Sequence, residues 1–277
     1  MKKTILPALA MLIISAVMLS TASYAWFAMN ASVEAESMSV NIKSDSTYLV
    51  IKAIDNDDSL PGDILTQVQS DKDIKVAGKP LDKKDTDDDG ILDTPITDIY
   101  PAAWRNIVTP DDVDGITGET FKTAANWYKA ESNNGDVSTA DPDSVEDLTS
   151  TVEYVVRYRY VVALQNGSPE ADGLWITNFK MIETGNTVAD AGVEPVRVVI
   201  TCGDVYDEFY DDDLSVGGDH YTSTKNFADG TVTDQQYYEF YVYVYYNGNH
   251  VDVTSNNFVN LSAVTISFSI TTNNPNT

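Results

Sequence analysis

Nine residues of this chain have the types and spacing of a cation-binding loop. Asp85-Thr86-Asp87-Asp88-Asp89-Gly90-Ile91-Leu92-Asp93 fits the pattern D-x-D-x-D-G-x-x-D. In a tight loop alternate residues turn their side chains the same way, so Asp85, Asp87 and Asp89 converge. Gly90 permits the sharp reversal, the carbonyl of Ile91 adds an oxygen, and Asp93 closes the shell directly or through water. A flexible cage of hard oxygens suits calcium, which takes six to eight of them. An EF-hand would place a bidentate Glu at loop position twelve, where this chain has Ile96 just after Pro95. The expected cofactor is therefore calcium in a stand-alone loop, where it stiffens a turn that would otherwise repel itself. A solvated acidic turn without metal is the competing reading. The looser sets Asp112/Asp114/Gly115, Asp55/Asp57/Asp58 and Asp211 to Asp213 read as solvated surface.

No pattern for catalysis accompanies this loop. The chain has no H-E-x-x-H, G-x-S-x-G, Walker loop or dinucleotide fingerprint. His220 and His250 both lie in polar, turn-like contexts. Cys202 is the sole cysteine, so an intrachain disulfide is ruled out, and its expected role is a small buried hydrophobe. With 43 carboxylates, a pair at glycosidase spacing would arise by chance and carries no weight. The expectation is a protein that is not an enzyme. Trp104, Trp127 and Trp175 read as core or as stacking platforms for sugars. The second option keeps an adhesin-like module for carbohydrate or a surface protein open as the alternative function.

The elements that would carry the loop are strands. Tyr154, Val156, Tyr158, Tyr160 and Val162 alternate with Glu153, Arg157 and Arg159, and Val264, Ile266, Phe268 and Ile270 alternate with Thr265, Ser267 and Ser269. Period two describes half-buried antiparallel strands. Tyr237 to Tyr246 is almost wholly aromatic or β-branched and ends at Asn247-Gly248-Asn249, a turn signal. Val196 to Thr201 and Leu174 to Ile182 read as further strands, and Ser39 to Ile54 as one long or two short ones. Helical spacing is confined to Gly118 to Glu131, through Phe121, Ala124, Ala125 and Tyr128. The fold expected is all-β: a jelly-roll-like antiparallel β-sandwich with long acidic loop insertions and about one short helix. Residues 38–277 would form the sandwich domain, with insertions near 55–150 and 204–234.

Charge and the first residues set the compartment. Lys2 and Lys3 precede an uncharged apolar run from Ile5 to Leu19, and Ser23 and Ala25 occupy the small-residue positions read by a signal peptidase. Residues 1–25 are expected to be a signal peptide, making the protein secreted, extracellular or at the cell surface. Retention as a membrane anchor is the alternative, and Pro7 with the lack of a positive flank argues against it. The full chain carries a net charge of −26, and cleavage of the two lysines takes it to −28. Such a polyanion is repelled by nucleic acid and anionic lipid, so neither is an expected partner. Membrane contact would come only through the uncleaved signal segment.

Three segments carry a resemblance. Ala22-Ser23-Tyr24-Ala25-Trp26-Phe27-Ala28-Met29-Asn30 resembles the signal-peptide junction of the TasA/camelysin family of secreted biofilm-fibre and cell-surface proteins. Met38-Ser39-Val40-Asn41-Ile42 is similar to that family's first strand, and Leu261 to Ile270 to its closing strand. The resemblance implies a jelly-roll subunit that self-associates into fibres by strand donation, with other matrix or surface proteins as further partners. The donor would be the N-terminal segment 26–37, with Trp26, Phe27 and Met29 supplying apolar side chains. Physically, an open sheet edge satisfies its backbone hydrogen bonds with an extended segment from another chain. The protease activity proposed for the family has no metal-ligand motif here to carry it.

Overall fold

The computed structural model describes residues 33–34, 39–44, 48–54, 60–71, 75–78, 80–81, 83–84, 94–95, 98–99, 102–104, 117–129, 148, 150, 154–183, 196–210, 223–228, 230–247 and 261–270. Strands β1 (Val33–Glu34), β2 (Ser39–Ser44) and β3 (Leu49–Ile54) come first, followed by an α-helix, Ile64–Asp71. Short strands β4 (Lys75–Ala77), β5 (Lys83–Lys84), β6 (Thr94–Pro95), β7 (Asp98–Ile99) and β8 (Ala102–Trp104) come next. Two 3₁₀ turns, Gly118–Lys122 and Ala124–Asn126, lead into β9 (Trp127–Lys129). The long strands are β10 (Val155–Leu164), β11 (Leu174–Glu183), β12 (Val196–Cys202), β13 (Val205–Tyr210), β14 (Tyr237–Tyr246) and β15 (Leu261–Ile270).

These strands build an all-β sandwich. One sheet has five strands in the order β13-β12-β14-β10-β3, and the other has four in the order β11-β15-β2-β4. The pairings are antiparallel except β15–β2, which run parallel with Val264 beside Val40 and Phe268 beside Ser44. That pair departs from a purely antiparallel reading and puts the first long strand of the chain beside the last. Ser39 to Ile54 resolves into two strands that belong to opposite sheets.

Alternation supplies the core between the sheets. Val156, Tyr158, Tyr160 and Val162 of β10 and Phe240, Val242 and Val244 of β14 point inward against Val40, Ile42, Val264, Ile266 and Phe268. The Tyr160 hydroxyl crosses the core and donates to the Val40 carbonyl at 2.7 Å. That carbonyl also accepts the Gly78 N–H at 2.8 Å, and a Cβ on Gly78 would overlap the Tyr160 hydroxyl. The residue after β4 is thus glycine because an aromatic ring end from the facing sheet occupies its side-chain space.

The five-stranded sheet is buried on its outer face too. Tyr241, Tyr243 and Tyr245 of β14 turn outward, where Trp104, Phe121, Trp127, Leu148 and Leu81 cover them. Beside this cluster the helix lays Ile64 and Val68 over Val50, Ile54, Val161 and Ala163. A strand buried on both faces loses its polar alternation, which is why Phe240 to Tyr246 reads as an unbroken apolar run. The described parts of residues 55–150 therefore include a third layer over the sandwich. The helical spacing at Gly118 to Glu131 yields 3₁₀ turns and then β9, and the α-helix forms instead at Ile64–Asp71. Trp127 and Phe121 explain the first outcome: the Trp127 indole N–H bonds the Phe121 carbonyl at 3.1 Å, and both rings enter the layer's centre.

Candidate functional site

The nine-residue acidic loop is framed by two short strands. β5 and β6 pair antiparallel, with Lys83 opposite Pro95 and Lys84 opposite Thr94. Asp85, Asp87, Asp89, Ile91 and Asp93 lie outside the described residues, but the ladder brings the two ends of their segment to neighbouring points. Ahead of β5, Leu81 is buried and its N–H bonds the Arg157 carbonyl of β10 at 2.7 Å. Beyond β6, β8 is fully buried against β9. The chain is therefore anchored to the sandwich at Leu81 before β5 and at β8 after β6. Among the described residues no group of three or more His, Cys, Asp or Glu is placed to hold a metal.

Trp26, Phe27 and Met29 likewise lie outside the described residues. Of the proposed donor segment, Val33–Glu34 is described, and it pairs antiparallel within its own chain, Val33 opposite Ile99 and Glu34 opposite Asp98. An acceptor needs an available edge. β11 is the edge of the four-stranded sheet. Its first half is flanked by residues 223–227, through Phe227 N–H to Leu174 O at 2.9 Å and Ser223 N–H to Ile176 O at 3.4 Å. Along its second half runs an open cleft of about 310 Å³ lined by Asn178, Phe179, Lys180 and Met181. Phe179 stacks there on Phe209 of the other sheet, with ring centroids 4.7 Å apart.

Two carboxylates that sequence patterning passed over are built into the fold on β13. Asp207 accepts the Ser223 hydroxyl at 2.5 Å, and Lys225 reaches the Tyr206 carbonyl at 2.7 Å. These bonds latch residues 223–225 to the edge strand. Glu208 points to the other face. Its carboxylate is half-buried at the aromatic layer, accepts the Tyr245 hydroxyl, and lies near Arg197 and the Trp104 indole. Burial pushes its carboxyl above the usual carboxylate range, while the Tyr245 hydrogen bond and the Arg197 charge pull it back. The signal was present in Val205-Tyr206-Asp207-Glu208-Phe209-Tyr210, whose two acids interrupt an otherwise strand-like run.

The remaining candidates resolve by burial. Trp104 and Trp127 are core residues, at 1 % and 0 % exposure, and are unavailable for stacking on sugars. Trp175 is half-buried. Cys202 is buried, as a small hydrophobe should be, and burial with the Glu239 charge nearby pushes its thiol up to about 12. His220 and His250 fall outside the described residues. Among the described residues no helix is long and apolar enough to cross a membrane. Compared with protein-family models, curated proteins and solved structures, the chain finds no match.

Proposed function

We propose that this chain is a secreted structural subunit of a bacterial surface fibre or biofilm matrix. It assembles by strand donation and is stabilised by calcium at Asp85, Asp87, Asp89, Ile91 and Asp93. The observation that carries the reading is the short ladder ahead of β2: among the described residues that segment pairs with its own chain over two residues, Val33 opposite Ile99 and Glu34 opposite Asp98. Exchanging the ladder for a longer one on a neighbour's edge gains backbone hydrogen bonds at little cost. The edge of β11 beyond Ile176 is the acceptor that suits it, with the cleft at Asn178 to Met181 taking an apolar side chain from Trp26, Phe27 or Met29. Calcium fits the same balance of charge: a loop pinned at both ends by β5–β6 still concentrates carboxylates, and a divalent cation neutralises them.

The test is assembly of the secreted protein with and without residues 26–37. Electron microscopy and sedimentation should show polymers of the intact mature chain and monomers of the deletion variant. Monomers at high concentration in both cases would sink the proposal.

A further inference from the structure

At the end of the sandwich where β12 stops and β14 starts, an open cleft of about 570 Å³ leads in between the sheets. Small-molecule sites commonly have volumes of about 300–1,000 Å³. The floor of the cleft is the core itself: Cys202, Phe227 and Ala228 belong to the cluster between the sheets, and Val205 and Tyr238 pack against it. Phe227 is held by its ring contact with Phe240, centroids 5.6 Å apart, and by its N–H on the Leu174 carbonyl. The Asn226 side-chain oxygen accepts the Leu174 and Ala228 N–H groups at 2.9 and 3.0 Å, which fixes the wall beside that ring. Gly203 and Gly230 line the cleft as exposed backbone with φ of +55° and +101°, and a Cβ on either would meet open space. Among the lining residues Asp204 is the charged one, and it is exposed.

We propose that this cleft binds a small aromatic amine, a flat ring that carries an ammonium head. The floor supplies apolar area and two aromatic side chains, Phe227 and Tyr238, against which a ring packs. The glycine backbone at Gly203 and Gly230 lets a flat group approach closely, because no side chain stands over it. The head group is set by charge. Asp204 offers a carboxylate at the edge of the cleft, aromatic faces attract cations, and a chain with a net charge of −26 concentrates them. Basic side chains near the site are already engaged. Lys225 donates to the Tyr206 carbonyl at 2.7 Å, and Lys122, whose charge is felt at Cys202, is paired with Glu119 at 2.8 Å. An anion would therefore meet a carboxylate with no lining cation to receive it. A sugar suits the floor less well, since its hydroxyls need a ring of polar groups and the Asn226 oxygen is committed to backbone N–H groups. The cleft is lined by none of the residues proposed for strand donation or calcium, so the inference stands apart from both.

Calorimetry of the full chain with tryptamine, ethylamine and indole-3-acetate, in chelator and at low salt, tests it. Tryptamine should bind saturably at one site, with a dissociation constant on the order of 1 mM or tighter. Ethylamine, which has the charge without the ring, and indole-3-acetate, which has the ring with the opposite charge, should not saturate in that range. Asp204→Asn changes an exposed side chain and should weaken tryptamine about fivefold at low salt, with a smaller effect at high salt. Val205→Trp fills the cleft from its wall and should abolish binding while the melting temperature shows that the domain is still folded. The proposal is overturned by no saturable binding of tryptamine, or by ethylamine binding as well as tryptamine, which would leave only attraction to the acidic surface. Indole-3-acetate binding as tightly as tryptamine would overturn the charge assignment and the proposal with it. Asp204→Asn and a folded Val205→Trp that both bind as the parent does would place the amine elsewhere and overturn it equally.

Discussion

At the scale of single residues, Glu208 has the largest consequence. A half-buried carboxylate near Trp104 is pulled back toward its charged form by the Tyr245 hydroxyl and the nearby Arg197. Tyr245→Phe removes the donor from this half-buried acceptor, an expected loss of about 1–3 kcal/mol in urea unfolding. The pH dependence has a definite sign. The folded carboxyl titrates above its unfolded value, so between those two values the folded state holds more protons. Stability contributed by Glu208 is therefore greatest below the ordinary carboxylate range and is lost as pH rises through the folded value. Glu208→Gln should flatten that part of the profile and unfold at higher urea than the parent at neutral pH. If the profile is unchanged, another group sets it.

At the scale of elements, the period-two patterns at Tyr154 to Val162 and Val264 to Ile270 fell on β10 and β15. The further strand readings Val196 to Thr201, Leu174 to Ile182 and Tyr237 to Tyr246 lie within one residue of β12, β11 and β14 at each end. Half-buried or doubly buried strands write their environment directly into side-chain alternation or its loss. The helix Ile64–Asp71 was less legible because its apolar stripe is short: Ile64, Leu65 and Val68 within a polar stretch. Spacing of i and i+4 identifies that stripe only once a sheet to cover it is known. β13 was obscured by Asp207 and Glu208, which face partners that sequence order does not reveal. The helix makes its own prediction. Val68 is fully buried over β3 and β10, so Val68→Ala should cost about 2 kcal/mol. An exposed neighbour such as Thr66→Ala should cost only a few tenths, and equal losses for the two would show that the helix is not seated on the sheet.

At the scale of the whole molecule, folding must bring a large excess of negative charge together. A domain with 43 acidic residues repels itself, and any site that gathers cations only in the folded state stabilises it by mass action. If the proposed calcium loop binds with an affinity on the order of 10⁻⁴ M, millimolar calcium contributes about 1.5 kcal/mol. In a domain of this size that corresponds to a rise of roughly 3–6 °C in melting temperature. Screening alone would also raise it, so the control is sodium chloride at matched ionic strength, which acts on every carboxylate alike. The site-specific part is the excess seen with calcium, and it should vanish in Asp87→Ala while the sodium response remains. If calcium and matched sodium shift the parent equally, the loop between β5 and β6 is only an acidic turn, and the proposed assembly would have to hold together without calcium.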